Sequence, residues 1–432
     1  MKNYLLAGLI LMATPAFVLA DLTLIQQLGQ KLYFDKSLSQ PDGQSCASCH
    51  APGSGFADPA NQLPVSRGVI SGRFGERNAP TTAYAMYTPP LSYDHEEGYW
   101  EGGQFWDGRA RGDKLGDPLA EQAMGPFLNP NEMGNPDKSS VIRDLRQSGY
   151  ADLFEQVWGQ GSLDNTERAF EQIAHAIAAF ERSTVFAPFN SRYDHYLRAC
   201  LQADIDIDDC AQGRGERVAQ IAMRQFSEQE WRGLRLFAGA NDNNGALGKD
   251  EGAHCSKCHS MQWSDADAQV IAPDWAPAGK IPPLFTDYSF HNIGVPGNPD
   301  HPVAGVVGDQ GVGKVIDDGL HHGKFKAMTL RNIANTAPYS HNGYFRNLRD
   351  MVHFYNTRDQ KGALGDGTDW PASEFPHTRN IDELGQLGLS EADELAIVAF
   401  LHTLTDQPTS LASGLDKGQS RFNNTRQATS ID

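Results

Sequence analysis

The sequence predicts a mainly α-helical chain whose two halves repeat one plan of helix, polar loop and closing helix, with long connections throughout. Three observations predict it. Apolar residues recur at helical spacing while alternating strand patterns are few. The pattern Cys-x-x-Cys-His occurs twice, at Cys46–His50 and Cys255–His259. And 43 Gly with 24 Pro among 432 residues imply well-specified loops rather than a regular bundle.

The elements follow in order. The first twenty residues combine Lys2, an apolar run from Leu5 to Met12 and the small-residue ending Val18-Leu19-Ala20. That is the pattern of an export signal and is set aside from the fold. Leu24, Leu28 and Leu32 mark the first helix, and Leu28-Gly29-Gln30-Lys31-Leu32-Tyr33-Phe34 is echoed by Arg232-Gly233-Leu234-Arg235-Leu236-Phe237. The second copy opens at a capping box, Ser227 with Glu230. The first half closes with a helix over 166–184, carrying Ile173, Ile177 and Phe180 on one face. The second closes with a helix that begins at Ser390 and Asp393 and carries Leu395, Val398, Leu401 and Leu404. The expected division is 1–20 signal peptide, 21–186 first domain, 187–225 linker, 226–408 second domain and 409–432 loose tail.

Charge and hydropathy exclude some functions. A net charge of −18 makes nucleic acid and anionic lipid poor partners, and leaves a basic protein as a compatible one. Beyond the N-terminus no apolar run approaches the ~18 residues of a membrane helix.

Cys-x-x-Cys-His is the attachment signature of c-type haem. Two thiols one turn apart add across the porphyrin vinyl groups, and the following His lies under the ring as an iron ligand. A zinc site would need a second Cys pair or paired His nearby, whereas these motifs stand far apart. Two covalently bound haem c groups are therefore expected, on Cys46, Cys49 and His50 and on Cys255, Cys258 and His259, in two cytochrome c-like haem domains in tandem. Cys200 and Cys210 remain, and in an oxidising compartment a disulfide is the default. It would be worth roughly 2–3 kcal/mol in the chain-entropy model, with a redox-active pair as the alternative.

Further stretches carry a resemblance: Arg77-Asn78-Ala79-Pro80-Thr81, Gln104-Phe105-Trp106-Asp107-Gly108-Arg109, Glu121 to Pro126, Asn131-Glu132-Met133, Leu330-Arg331-Asn332 and Thr336-Ala337-Pro338-Tyr339-Ser340-His341-Asn342-Gly343. With the two haem motifs, the chain from about 22 to 406 resembles the bacterial di-haem cytochrome c peroxidases, MauG-like enzymes included. The resemblance implies peroxide chemistry at the N-terminal haem and an electron relay at the C-terminal one, in the periplasm. It places Trp106 between the haems, Pro126 and Glu132 in the distal pocket and Gln122 near the first haem. It places Asn78, Thr336 and Pro338 around a calcium ion, to be held by oxygen ligands. Glu132 would move a proton between the two peroxide oxygens as the O–O bond breaks.

Two departures set the branch. The family standard puts a second His on the first haem, from the loop after the motif. Here Ala51 to Arg77 holds no His and the loop reads Pro64-Val65-Ser66-Arg67-Gly68; His95 is the nearest substitute. The first iron is expected to stand open to peroxide. The standard second-haem ligand is a Met sixteen positions after the aromatic of the Pro-aromatic-x-His-x-Gly motif, and Tyr355 stands there, as in MauG-like enzymes. Met351, Met328 and His353 are the alternatives. An anionic Tyr oxygen favours ferric and higher states, where Met favours ferrous.

The leading expectation is an exported MauG-like peroxidase acting on hydrogen peroxide and a protein substrate. The close alternative is peroxide detoxification with electrons from a small cytochrome c or cupredoxin. From another class comes a purely electron-transferring cytochrome.

Overall fold

The computed structural model describes residues 22–408 apart from 61, 240–251, 267–269 and 304–307. The expected signal segment 1–20 and tail 409–432 lie outside the described residues. The described chain is mainly helical. Its first half holds α1 (Leu24–Phe34), α2 (Cys46–Cys49), α3 (Pro118–Leu128), α4 (Lys138–Arg146), α5 (Ala151–Trp158) and α6 (Thr166–Glu181). There follow α7 (Arg192–Gln202), α8 (Ile207–Ala211), α9 (Glu216–Gln225), α10 (Glu228–Ala238), α11 (Val312–Ile316), α12 (Leu348–Thr357) and α13 (Glu391–His402). Strands are short and occur as antiparallel pairs: β1 (Ser92–Asp94) with β2 (Tyr99–Glu101), β3 (Ser264–Asp265) with β4 (Lys280–Ile281), and β5 (Phe290–His291) with β6 (Phe325–Lys326).

The helix starts are written in local chemistry. Thr23 caps α1 in a reciprocal box with Gln26, Ser227 caps α10 with Glu230, and Ser390 caps α13 with Asp393. Each satisfies backbone N–H groups that a helix start leaves orphaned.

Two apolar cores result. One gathers Leu28, Leu32, Tyr33, Ile173, Ile177 and Phe180 between α1 and α6. The other gathers Leu234, Leu236, Phe237, Ala396, Ile397 and Phe400 between α10 and α13. Burying each such large side chain contributes roughly 1.5–3 kcal/mol. The two crossings are built alike. A Cβ on Gly29 would fall 1.9 Å from the Ala176 carbonyl oxygen, and a Cβ on Gly233 would fall 1.9 Å from that of Ala396. Glycine lets both helix pairs approach this closely. A methyl at either would cost at least the ~1–3 kcal/mol of ordinary overpacking.

Two apolar assignments shift. Leu24 and Leu395 lie on the solvent side, 40 % and 36 % exposed, because the crossings select the small Ala176 and Ala396 with their flanking Ile and Phe. Residues 187–225, expected as a linker, form α7, α8 and α9. Tyr193, Tyr196 and Leu197, spaced i, i+3, i+4, bury one face of α7 in the second core. A disulfide joins Cys200 on α7 to Cys210 on α8.

The halves meet at a buried cation. The Arg331 guanidinium pairs with Asp194 at 2.8 Å, with both side chains fully buried. It also donates to the Pro283 carbonyl at 2.9 and 2.7 Å. Its flat face lies 5.1 Å from the Tyr84 ring of the first half and 5.9 Å from Phe285 of the second. Burial works against the charge on Arg331, but Asp194, Tyr84 and Asp406 outweigh it and hold the guanidinium firmly charged.

Candidate functional site

Each Cys-x-x-Cys-His motif forms a tight turn that floors a cavity. In the first half α2 is a single turn capped by Ser45 and Ser48, and the His50 N–H donates to the Cys46 carbonyl at 2.9 Å. In the second half a 3₁₀ turn over Cys255–Lys257 does the same work, with the His259 N–H on the Cys255 carbonyl at 2.9 Å. None of the four cysteines is in a disulfide. Burial raises all four thiols, that of Cys49 to about 12, with Asp58 adding to the effect.

The two histidines are oriented alike. His50 Nδ1 lies 3.3 Å from the Phe56 carbonyl oxygen, and His259 Nδ1 lies 3.0 Å from that of Phe285. Such a bond on one ring nitrogen fixes the tautomer and leaves Nε2 to bind metal. Burial lowers the pKa of both rings, which favours the neutral form that ligation needs. Thiol pair, neutral imidazole and enclosing cavity are the donor set that a covalently held haem requires, twice over.

The first cavity, about 910 Å³, is walled by Cys46, Cys49, Gln122, Pro126, Glu132 and Trp106, among others. Gln122 and Pro126 come from α3, and Glu132 from the turn after it, where its N–H donates to the Asn129 carbonyl at 3.0 Å. Burial raises the Glu132 carboxyl, opposed by Arg109 and a hydrogen bond from Asn129 and assisted by Glu76. Among the described residues lining this cavity the only histidine is His50. His95 does not line it and sits at the β1–β2 turn with its ring 5.1 Å from Tyr93. The loop holding Ser66 and Arg67 is pressed against the Glu132 turn: a Cβ on Gly68 would fall 2.3 Å from the Asn131 carbonyl oxygen.

The second cavity, about 220 Å³, is walled by Cys255, Cys258, His259, Tyr355, Met351 and Met328, among others. Burial and the neighbouring thiols raise the Tyr355 phenol. His353 is turned away: Nδ1 meets Glu394 at 2.9 Å and Nε2 meets the Ala363 carbonyl oxygen at 3.0 Å. Both ring nitrogens are engaged, which removes it as a ligand.

Trp106 lines both cavities. Its indole N–H donates to the Asn78 carbonyl at 2.9 Å, and its own carbonyl accepts from Lys326 N–H at 2.9 Å. The tight turn around it is anchored by buried Asp107, which pairs with Arg77 at 2.6 Å and Arg109 at 3.0 Å. Asn78, Thr336 and Pro338 come together in the wall of the second cavity.

Sequence reading missed three buried polar residues here. Lys326 lies in both walls with its ammonium on the Gly103 carbonyl, and burial lowers it to about 7. Glu181 lines the first cavity with Oε2 unpaired, and burial raises it to about 8. Tyr84 lines the same wall. Only Glu181 had a local signal, a carboxylate one turn past Ile177 on an apolar helix face.

The family model described as di-haem cytochrome c peroxidase matches residues 25–201. Over 400 residues the chain is 35 % identical to the methylamine utilization protein MauG of Paracoccus denitrificans, covering 88 % of each chain. It belongs to the di-haem cytochrome c peroxidase family. It is therefore an oxidoreductase acting on peroxide, and the family implies two haem groups. The chain is also 29 % identical to the cytochrome c551 peroxidase of Pseudomonas aeruginosa, over 76 % of this chain and 70 % of the relative. The fold matches the di-haem peroxidase BthA of Burkholderia thailandensis with a TM-score of 0.67 and 28 % identity, over 89 % and 88 % of the two chains.

Proposed function

We propose that this chain is an exported, periplasmic di-haem c-type peroxidase of the MauG-like branch. In this reading hydrogen peroxide reacts at the N-terminal site, and electrons pass through the C-terminal site from a protein. The observation that carries it is the pair of cavities, each with its own Cys-x-x-Cys-His turn, sharing Trp106 in their walls.

The residues divide the work. When bound, the haems supply the iron that accepts and passes on the electrons of peroxide reduction. Cys46 and Cys49 would tether the first and Cys255 and Cys258 the second, with His50 and His259, oriented by their backbone partners, as the imidazole donors to iron. In the first cavity, Glu132 would take the proton from one peroxide oxygen and return it to the leaving one; Gln122 and Pro126 shape that pocket. Trp106 conducts between the sites. Tyr355 would be the second protein ligand of the C-terminal site, and Asn78, Thr336 and Pro338 would supply oxygen atoms to a calcium ion. The net charge of −18 favours a basic protein partner, with rates that fall as salt rises.

A second reading has one observation in its favour. Met328 and Met351 share the wall with Tyr355, and a Met ligand would suit detoxification with electrons from a small cytochrome c or cupredoxin. Mixing ferric holoprotein with hydrogen peroxide in a stopped-flow spectrometer tests the proposal. An absorption change without any prior reductant is the expected result. No change would leave only an electron-transfer cytochrome. Where the absorption does change, fast turnover with reduced cytochrome c would select detoxification over partner modification.

A further inference from the structure

The first cavity wall contains a phenol with a proton acceptor already in place. Tyr84 is buried at 1 % exposure, and its hydroxyl donates to Asp406, 3.0 Å from Oδ1 and 2.9 Å from Oδ2. The same oxygen accepts from the Phe189 N–H at 3.1 Å. Its neighbours differ. The Tyr288 hydroxyl, in the same wall, has no partner among the described residues. Tyr33 donates to the His50 carbonyl and Tyr87 to the Ile271 carbonyl, and a carbonyl cannot hold a transferred proton. Tyr150 does meet a carboxylate, Asp35 at 2.7 Å, but does not line the cavity.

The surroundings of Tyr84 favour losing an electron and a proton together. The Arg331 guanidinium, 5.1 Å from the ring, opposes a bare cation radical there, and the opposition vanishes for a neutral one. Asp406 is held by Asn332 Nδ2 at 2.9 Å and the Asn190 N–H at 3.3 Å. Burial raises the Asp406 carboxyl to about 6, with Asp194 adding to the effect and Arg331 opposing it. Near neutrality it is thus a carboxylate with more proton affinity than an exposed one. Tyr87 stacks 6.4 Å away and extends the aromatic path toward the surface.

We propose that Tyr84 is a proton-coupled redox site, giving one electron to the peroxide-oxidised first site and its phenolic proton to Asp406. This rests on the proposed peroxidase reading. Hydrogen peroxide is the oxidant: its O–O bond breaks and, with two electrons drawn from the first site and two protons from solvent, it is reduced to two waters. Tyr84 returns one of these electrons. Its O–H bond breaks, an O–H bond forms on Asp406, and a neutral phenoxyl radical faces a carboxylic acid. One electron from the protein donor and the same proton restore the pair.

Rapid freeze-quench EPR of holoenzyme mixed with hydrogen peroxide tests this. The expected result is an organic radical whose lines narrow when the protein carries β-deuterated tyrosine. Tyr84→Phe abolishes it. Asp406→Asn, which keeps Tyr84 and an acceptor oxygen but removes the base, slows its formation by roughly 10²-fold, the scale of losing a positioned proton acceptor. The peroxide-induced absorption change survives in both variants, and melting curves check that both fold. A radical unaltered by Tyr84→Phe, or one removed instead by Tyr150→Phe, overturns the proposal. So does an absorption change with no radical in wild type, which leaves the peroxidase reading standing. No absorption change at all overturns both.

Discussion

The Glu132→Gln variant is expected to react with hydrogen peroxide about 10²–10⁴-fold more slowly than wild type, the span typical of removing a positioned general acid–base. Glutamine keeps the shape and the acceptor oxygen but cannot take and return a proton. Arg109 and Asn129 pull the Glu132 carboxyl down and Glu76 pushes it up, and burial outweighs the attraction of Arg109 in setting its pKa above the ordinary carboxylate range. The sign of the pH dependence follows. The base form is needed to deprotonate peroxide, so the wild-type rate rises with pH through that raised pKa, and the variant lacks this inflection. Stability moves the other way. A carboxyl whose pKa is higher folded than unfolded contributes most below the unfolded value and loses that contribution as pH rises through the folded one. The variant should therefore be at least as stable as wild type at neutral pH, so a slow rate cannot be laid to unfolding. Single-mixing absorption kinetics across pH provide the check, and an unchanged rate would remove Glu132 from the site.

Breaking the Arg331–Asp194 pair should cost the most stability. Both side chains are fully buried, and Asp194 also accepts from the Ser191 hydroxyl at 2.6 Å and N–H at 2.9 Å, closing the box that starts α7. Asp194→Ala leaves a guanidinium without its anion in an apolar interior, a loss of about 3–5 kcal/mol. The double change Asp194→Asn with Arg331→Met should recover part of it, because the buried guanidinium and its partner are then neutralised together; the recovery stays partial because Asp406 loses the attraction of Arg331. Denaturant melts of the holoprotein decide the matter. A loss below about 1 kcal/mol, the scale of an exposed pair, would mean that the cation is not sealed at the junction.

What the sequence revealed and what it hid divide by distance along the chain. The attachment motifs, the capping boxes of α10 and α13 and the Gly29 and Gly233 echo are local patterns, and local patterns are readable. So was the closing helix Thr166–Glu181, whose Ile173, Ile177 and Phe180 are all buried. Of the residues expected on the closing helix of the second half, Leu401 and Leu404 are buried, and only Leu395 shifts to the solvent side, because the crossing at Gly233 has room for the smaller Ala396. Buried pairs between distant parts of the chain have no local signature. Tyr84 and Asp406 stand 322 positions apart, and Arg331 and Asp194 stand 137 apart. Lys326 gave no signal in the sequence because its partner, the Gly103 carbonyl, comes from a distant loop.

Haem content and spin state of the protein as purified bear on all of this at once. Two covalently attached haems per chain, one high-spin ferric and one low-spin ferric by EPR, are the expected result: the first with an open face above His50, the second closed by Tyr355. A single haem per chain, or two low-spin haems, would contradict it.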